Sequence, residues 1–239
     1  MQSLFQSFEK HAVRYLLIRG QAAILYGAST FSEDVDVWLD PAAANVARFL
    51  RALAAVEATA YKLSPPMTRR NVNLGHGFHF LVPDAGGAIY LDVMPRPPRV
   101  GAFAASYRRQ RVMETPMGRL SVVGIEDLVE LKKTRRLADY DVITNLVAIC
   151  VGKEPRPSRV LLKWAARNAF RASDRLAYLR LLGRRRSASA CHAELLRELS
   201  RLQRRDTSHW SIVTEDLRRL GARGGLLAPG TPVRELFAG

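Results

Sequence analysis

The chain has 239 residues, 48% of them hydrophobic, and a formal net charge of +15. This length allows one large domain or two small ones with a substantial core. No apolar run approaches the roughly 20 residues of a membrane-spanning helix, which excludes an integral membrane protein, and the first residues lack a signal-peptide pattern, which predicts a cytoplasmic location. Cys150 and Cys191 are far apart and are predicted to be free, buried thiols.

The first elements in chain order are predicted to be a helix, a strand and a second short helix. Residues 2–13 carry apolar side chains at helical spacing, and residues 15–18 form an apolar run typical of a buried strand. Gly20 then indicates a tight turn. Residues 21–26 are predicted to be helical, and residues 34–39 alternate as a strand does.

Two acidic residues in this last strand are candidates for a metal site. Side chains of a strand repeat every second residue, so Asp34 and Asp36 lie on one face. Neighbouring carboxylates repel unless a cation or water lies between them, and Mg²⁺ favours such oxygen ligands. The turn at Gly20 and the helix after it offer backbone N–H groups to a phosphate. The alternative interpretation is a solvated strand end with two exposed acids.

A third carboxylate is predicted in a hairpin formed by residues 78–82 and 88–94. Asp92 is a lone acid among apolar neighbours in the second strand, which is costly unless the acid is paired or binds metal. Asp92 would complete a site with Asp34 and Asp36. His76 and His79 are interpreted as ordinary residues at the edge of a strand.

The remaining elements are predicted to be mainly helical. A helix over residues 42–56 is predicted to begin with Asp40 as N-cap and Pro41 at its first position. Residues 63–70 are predicted to be a loop and residues 221–239 a loosely packed tail. The other predictions are a strand at 120–123 and helices at 125–136, 160–170, 174–182, 188–202 and 210–220.

The positive charge is concentrated in the second half of the chain. Residues 1–130 hold 14 Lys and Arg against 12 Asp and Glu, whereas residues 131–239 hold 23 against 10. This asymmetry favours a nucleic-acid partner over a generally arginine-rich composition. The candidate contacts with RNA or phosphate are Arg108, Arg109, Arg111, Lys133, Arg184, Arg185 and Arg186.

The combination of motifs resembles the polymerase-β-like nucleotidyltransferase superfamily. Gly20-Gln21-Ala22 followed by Phe31-Ser32-Glu33-Asp34-Val35-Asp36, with Leu91-Asp92-Val93 downstream, is similar to its minimal bacterial branch, which includes the AbiEii/MenT-type toxins. The similarity extends to about residue 146. One departure is Gln21, which stands where the superfamily usually has Gly or Ser in the turn.

The resemblance implies a fold, a reaction and roles for residues. It implies an α/β fold with a short mixed sheet flanked by helices, a nucleotidyltransferase core over residues 1–124, and a basic helical domain over residues 125–239. Two Mg²⁺ ions would be held by Asp34 and Asp36, with Asp92 ligating one of them and assisting catalysis. Gly20, Gln21 and Lys132 would bind the NTP, and Asp139 would fix the helix of Lys132 near the site.

The acceptor implied by the toxin branch is the 3′ end of tRNA, with an antitoxin as partner protein. Three alternatives stay open. The chain could modify a small molecule such as an aminoglycoside, although a cationic substrate favours an acidic groove. It could modify a protein side chain, or it could be a catalytically degenerate RNA-binding or antitoxin-like protein. The sequence selects neither the nucleotide nor the acceptor.

Overall fold

A computed structural model describes residues 1–237 of the chain. Its centre is a seven-stranded mixed sheet flanked by helices, which confirms the predicted α/β class. The strands are β1 (Tyr15–Ile18), β2 (Val35–Leu39), β3 (Thr59–Ala60), β4 (Phe78–Asp84), β5 (Gly87–Met94), β6 (Arg111–Thr115) and β7 (Gly118–Val122). They lie in the order β3-β4-β5-β2-β1-β7-β6.

Ten helices surround the sheet in the described part of the chain. They are α1 (Gln2–Lys10), α2 (Arg19–Leu25), α3 (Ala43–Ala55), α4 (Arg69–Leu74), α5 (Phe103–Arg108), α6 (Ile125–Leu131), α7 (Ala138–Gly152), α8 (Arg159–Asn168), α9 (Ala172–Leu181) and α10 (Ala188–Ala222). A short 3-10 helix follows at Val233–Phe237. Among the described residues, no helix combines the length and the apolar character needed to cross a membrane.

The two central strands explain why a short sheet can be stable here. Every residue of β1 and of β2 is buried, as expected for strands covered on both faces. Phe8 of α1 and Phe49 of α3 meet in this core with ring centroids 5.6 Å apart. Leu128 of α6 and Ile143 of α7 are fully buried in the same core. The predicted domain boundary at 124/125 stays a prediction.

The pairing of the central strands places the acids. β1 is antiparallel to β2, and β2 is parallel to β5, with Asp36 directly opposite Asp92. Neighbouring strands lie about 4.8 Å apart, and paired residues in register point to the same face. The sheet therefore sets the carboxylates of Asp36 and Asp92 side by side, although 55 residues separate them in the chain.

Helix α10 is one element of 35 residues, whereas two helices at 188–202 and 210–220 were predicted. Residues 203–209 contain no Gly or Pro that would break it. These residues are mostly polar, but one of them makes a buried contact. Asp206 accepts hydrogen bonds from Arg99 Nη1 at 3.1 Å and from the backbone N–H of Arg135 at 3.1 Å. The helix continues because its polar middle turn is anchored to the rest of the protein.

Several predicted boundaries were wrong for local reasons. The helix predicted over 125–136 ends at Leu131. Helix α3 starts at Ala43 with Ala42 as N-cap, because Asp40 accepts the N–H of Ala42 in a turn before the helix. Helix α4 begins inside the predicted loop, capped by Thr68. Elements α5, β6 and α7 were not predicted.

The C-terminal tail is attached to the sheet, which corrects the prediction of a loosely packed segment. The N–H of Ala60 in β3 donates to Thr231 O at 2.8 Å, and the N–H of Gly230 donates back to Ala60 O at 2.7 Å. Val233 is fully buried. Residues 238 and 239 of the predicted tail lie outside the described residues. Cys150 and Cys191 are free thiols, as predicted; Cys191 is also buried as predicted, whereas Cys150 is only half-buried.

Candidate active site

An acidic cleft lies at the ends of β1, β2 and β5. Its volume is about 440 Å³. The residues that line it come from the start of α2, the loop before β2, strands β2 and β5, the end of α6 and the segment after it, the start of α7, and α10. They are Arg19, Gly20, Ser32, Glu33, Asp34, Asp36, Asp92, Leu131, Lys132, Thr134, Arg135, Arg136, Asp139, Asp206 and Trp210.

The structure brings together five of the six predicted catalytic and nucleotide-binding residues. Gly20, Asp34, Asp36, Asp92 and Lys132 all line the cleft. Asp34 lies just before β2 and is half-buried, whereas Asp36 is only 7% exposed. The three acids therefore face one space, although they come from two separate stretches of the chain.

Asp36 is under electrostatic strain. The pKa of Asp36 is raised to about 7, mainly by burial and to a smaller extent by the carboxylates of Asp92 and Asp34. The guanidinium of Arg19, with Nε 3.6 Å from Asp36 Oδ1, and the ammonium group of Lys132 act in the opposite direction. A cation bound at this position would remove the penalty for the charged form.

Asp92 is held by a residue that the sequence interpretation dismissed. His79, opposite Asp92 in the antiparallel β4–β5 pair, donates from Nδ1 to Asp92 Oδ1 at 2.6 Å. Burial raises the pKa of Asp92, but the hydrogen bond and the charge of His79, together with Lys62 and Arg19, outweigh burial and lower it. The only signal in the sequence was that His79 and Asp92 lie at matching positions of a predicted hairpin.

The residues that follow α6 complete the opposite wall. Lys132 Nζ lies 2.9 Å from Asp139 Oδ1, and Thr134 Oγ1 donates to Asp139 Oδ2 at 2.6 Å. The side chain of Lys132 is 8% exposed, and Asp139 holds its ammonium group at the wall of the cleft. The roles of Thr134, Arg19, Asp206 and Trp210 in this cleft were not predicted.

Gln21, predicted to bind the nucleotide, has a structural contact instead. Its Nε2 donates to the backbone carbonyl of Ser32 at 3.1 Å, and Gln21 is not among the residues that line the cleft. Ser32 Oγ in turn donates to Asp34 O at 3.2 Å. Gln21 therefore ties the loop that carries Asp34 to helix α2.

The predicted RNA contacts are scattered by the fold. Arg111 starts β6, at the far edge of the sheet from β5, and Arg109 pairs with Asp127 at 2.8 Å. Lys133 pairs with Glu130. None of Arg108, Arg109, Arg111 and Lys133 lines the cleft, and their contact with RNA or phosphate stays a prediction. Arg184 and Arg186 line a different groove, and Arg185 is exposed.

The donor set fits a hard divalent cation by its chemistry. Asp34, Asp36 and Asp92 offer carboxylate oxygens, the ligands that Mg²⁺ favours, and the buried Asp36 is the group that a cation would stabilise. Within residues 1–237, however, no three His, Cys, Asp or Glu side chains are already grouped closely enough to hold one ion. Binding would have to draw these carboxylates closer together.

Comparison with known proteins adds a structural likeness. No family model matches the chain, and no curated protein matches it. Among solved structures, the fold is similar to the crystal structure of a "putative nucleotidyltransferase from H. pylori", with 12% sequence identity and a TM-score of 0.43. The similarity covers 87% of this chain and 93% of that one.

The first prediction from this geometry concerns Gly20. A Cβ atom at this position would lie 2.1 Å from Ser32 Oγ and 2.7 Å from Ser32 Cβ. We expect Gly20→Ala to displace the loop of Asp34, destabilise the protein by about 1–3 kcal/mol, and reduce ligand binding in the cleft. Thermal unfolding and Mn²⁺ or nucleotide titration measure both effects. Adding Ser32→Gly should restore part of the loss, and Gly101→Ala, which meets no atom within 4 Å, should be neutral.

The second prediction concerns stability as a function of pH. The pKa of Asp36 is about 7 in the folded protein against 3.8 for an unperturbed aspartate, so the folded state retains this proton between those values. Its contribution to stability is therefore complete below about pH 4 and is lost as the pH rises to 7. At about 1.4 kcal/mol per unit, the upper bound is roughly 4 kcal/mol. The unfolding free energy of wild type minus that of Asp36→Asn should fall over this range. A flat difference would contradict a buried, strained carboxyl.

The third prediction concerns His79. His79→Ala removes the donor to Asp92 Oδ1, so the pKa of Asp92 should rise, and affinity for divalent metal or activity should fall roughly tenfold to hundredfold. Carboxyl resonances of Asp92 followed by NMR, together with metal titration, provide the measurements. His79→Gln, which keeps an N–H donor, should lose less. His192→Ala, an exposed histidine on α10, is the control and should leave both values unchanged.

Proposed function

We propose that the protein is a metal-dependent nucleotidyltransferase that moves a nucleoside monophosphate from an NTP to an acceptor hydroxyl. The observation that carries this proposal is the pairing of Asp36 with Asp92 across parallel strands, facing Asp34 and Lys132 in one cleft. The carboxylates on one side of the cleft suit the metal ions of a metal-bound polyphosphate, and the ammonium group on the other side suits its phosphates, because opposite charges neutralise each other.

In this proposal Asp34 and Asp36 would hold two Mg²⁺ ions, and Asp92 would ligate one of them. When bound, the ions would supply charge neutralisation at the phosphates and activation of the attacking hydroxyl. The chain itself would do the positioning. Lys132 would contact phosphate oxygens, and Asp92, kept ionised by His79, would orient the acceptor hydroxyl and accept its proton. The hydroxyl oxygen would then bond to the α-phosphorus as pyrophosphate leaves.

The acceptor that we propose is RNA, in the first instance the 3′ end of tRNA, so that the protein would act as the toxin of a toxin–antitoxin pair. The support is the charge of the second half of the chain and the position of Arg135 and Arg136 among the cleft residues.

A second candidate is an RNA-binding protein without transferase activity, and one contact favours it. The guanidinium of Arg19 lies close to Asp36 and already compensates part of its charge. If Arg19 occupies that position permanently, a metal ion has less to gain there.

The test uses each α-³²P-labelled NTP with Mg²⁺ and total RNA, beside protein and small-molecule fractions as acceptors. Wild type is compared with Asp36→Asn. Label in tRNA that disappears in the variant supports the proposal. Label in a protein or a small molecule keeps the transferase and replaces the acceptor. RNA binding without transfer of label, at any metal concentration, supports the second candidate.

A further inference from the structure

A second and larger concavity lies away from the acidic cleft. This groove, which we call the basic groove, has a volume of about 680 Å³ and is formed by α8, α9, the loop after α9, and the first half of α10. Its charged lining residues are Lys163, Arg167, Arg175, Arg184, Arg186, Glu194, Arg197, Glu198 and Arg201. It shares no residue with the acidic cleft.

One cation of the groove is structural. Arg175 is buried and donates to Ala169 O at 3.0 Å, to Arg167 O at 3.1 Å and to Glu198 Oε2 at 2.9 Å. These contacts link α8, α9 and α10 and form a rigid base. Arg175 and Glu198 neutralise each other, so the charge available to a ligand comes from the other residues.

Those other residues leave a large excess of positive charge. Six cations line the groove besides Arg175, and within residues 1–237 none of the six forms an ion pair. Against them stands one further acid, Glu194. All six are exposed. The positive charges in the groove repel one another, which costs free energy, and a polyanionic ligand would remove this repulsion.

The uncharged lining narrows the class of polyanion. It consists of Ala166, Leu179 and Leu182, so the groove offers no aromatic side chain on which a base could stack. Single-stranded RNA and free nucleotides are usually bound through such stacking. A groove with many arginines and no aromatic side chain suits instead the phosphodiester backbone of a double-stranded RNA segment, which is read by shape and charge.

We infer that the basic groove binds the backbone of a base-paired segment of the acceptor RNA, away from the end that enters the acidic cleft. The inference deepens the proposed function, because it assumes an RNA acceptor. Helix α10 carries residues of both sites, Arg197 and Arg201 in the groove and Asp206 and Trp210 in the cleft. One RNA molecule long enough to reach around this helix would contact both.

The experiment measures binding of fluorescein-labelled, deacylated bulk tRNA by anisotropy at several KCl concentrations. The groove variant is Arg184→Ala/Arg197→Ala/Arg201→Ala. The matched control is Arg51→Ala/Arg156→Ala/Arg223→Ala, which removes the same charge from exposed arginines outside both sites. We expect the groove variant to raise the Kd on the order of tenfold or more and to reduce the salt slope by about two. The control should change the Kd less than twofold.

Four outcomes would overturn the inference. Equal weakening by the groove variant and the control would mean that net charge alone attracts RNA. No weakening by the groove variant would place RNA elsewhere. Full competition by pyrophosphate at low concentration, or tighter binding of single-stranded oligonucleotides than of a hairpin, would indicate another ligand. Replacement of the same three residues by Lys should restore most of the affinity, and circular dichroism confirms folding.

Nucleotide transfer measured in parallel separates this inference from the proposed function. Groove-dependent RNA binding without any transfer keeps the groove and overturns the transferase. Transfer to tRNA with an unchanged KM in the groove variant keeps the transferase and overturns the groove.

Discussion

Replacing Asp36 by Asn is expected to abolish nucleotide transfer, with a loss of about a thousandfold or more, while the protein becomes more stable at pH 8. The loss follows because the amide cannot carry the charge that the proposed metal site needs, and such metal contacts are worth several kcal/mol. The gain follows because the carboxyl is buried beside two other acids, with a pKa raised to about 7. Activity and stability should therefore move in opposite directions.

The measurements are single-turnover transfer with labelled NTP and thermal unfolding at pH 8 without metal. Asp127→Asn is the matched control. Asp127 lies on α6, outside the cleft, and pairs with Arg109. An Asp36→Asn protein that retains transfer would remove the basis of the proposed mechanism. Loss of both activity and stability would show that Asp36 is a structural partner of Arg19.

Lys132 and Lys133 provide a second test, because they are neighbours with matched burial. Each is 7% exposed and each pairs with one carboxylate, Lys132 with Asp139 and Lys133 with Glu130. Only Lys132 lines the cleft. We expect Lys132→Met to raise the KM for NTP and to lower kcat, with a combined loss of about a hundredfold in kcat/KM, and Lys133→Met to leave kcat/KM within a few fold.

Both substitutions leave a carboxylate without its partner, so thermal unfolding must accompany the kinetics. Similar losses of stability with different losses of kcat/KM would assign Lys132 to the phosphates. Equal losses of kcat/KM in the two variants would instead show that the lysines after α6 affect activity only through folding.

The core of the site could be predicted because its signals are local. A buried strand, a glycine and an alternating acidic strand stand within 25 residues, and Asp92 was conspicuous as a single acid in an apolar strand. The side-by-side placement of Asp36 and Asp92 also needed the order of strands, which no local pattern contains. The family resemblance supplied the expectation of that placement, and the parallel pairing of β2 with β5 gives its physical cause.

The other parts of the cleft could not be predicted because they depend on distant contacts. His79 becomes relevant only through its cross-strand position opposite Asp92. Asp206 and Trp210 reach the cleft only because α10 continues through a polar turn whose inward-facing acid is satisfied by Arg99. Arg108 and Arg111 follow Asp92 closely in the chain, but β6 lies at the opposite edge of the sheet. Closeness in the sequence did not predict closeness in space where the chain passes from one part of the sheet to another.

The unbroken course of α10 has a consequence for how an acceptor would be chosen. Arg197 and Trp210 are 13 positions apart on one helix, which corresponds to about 20 Å along its axis. The helix is anchored through Asp206 to Arg99 and through Asp216 to Arg70 and His76, so this spacing is fixed. α10 would then set a fixed distance between the two sites. The protein would select acceptors by the distance between their base-paired segment and their reactive end, with little regard to base sequence.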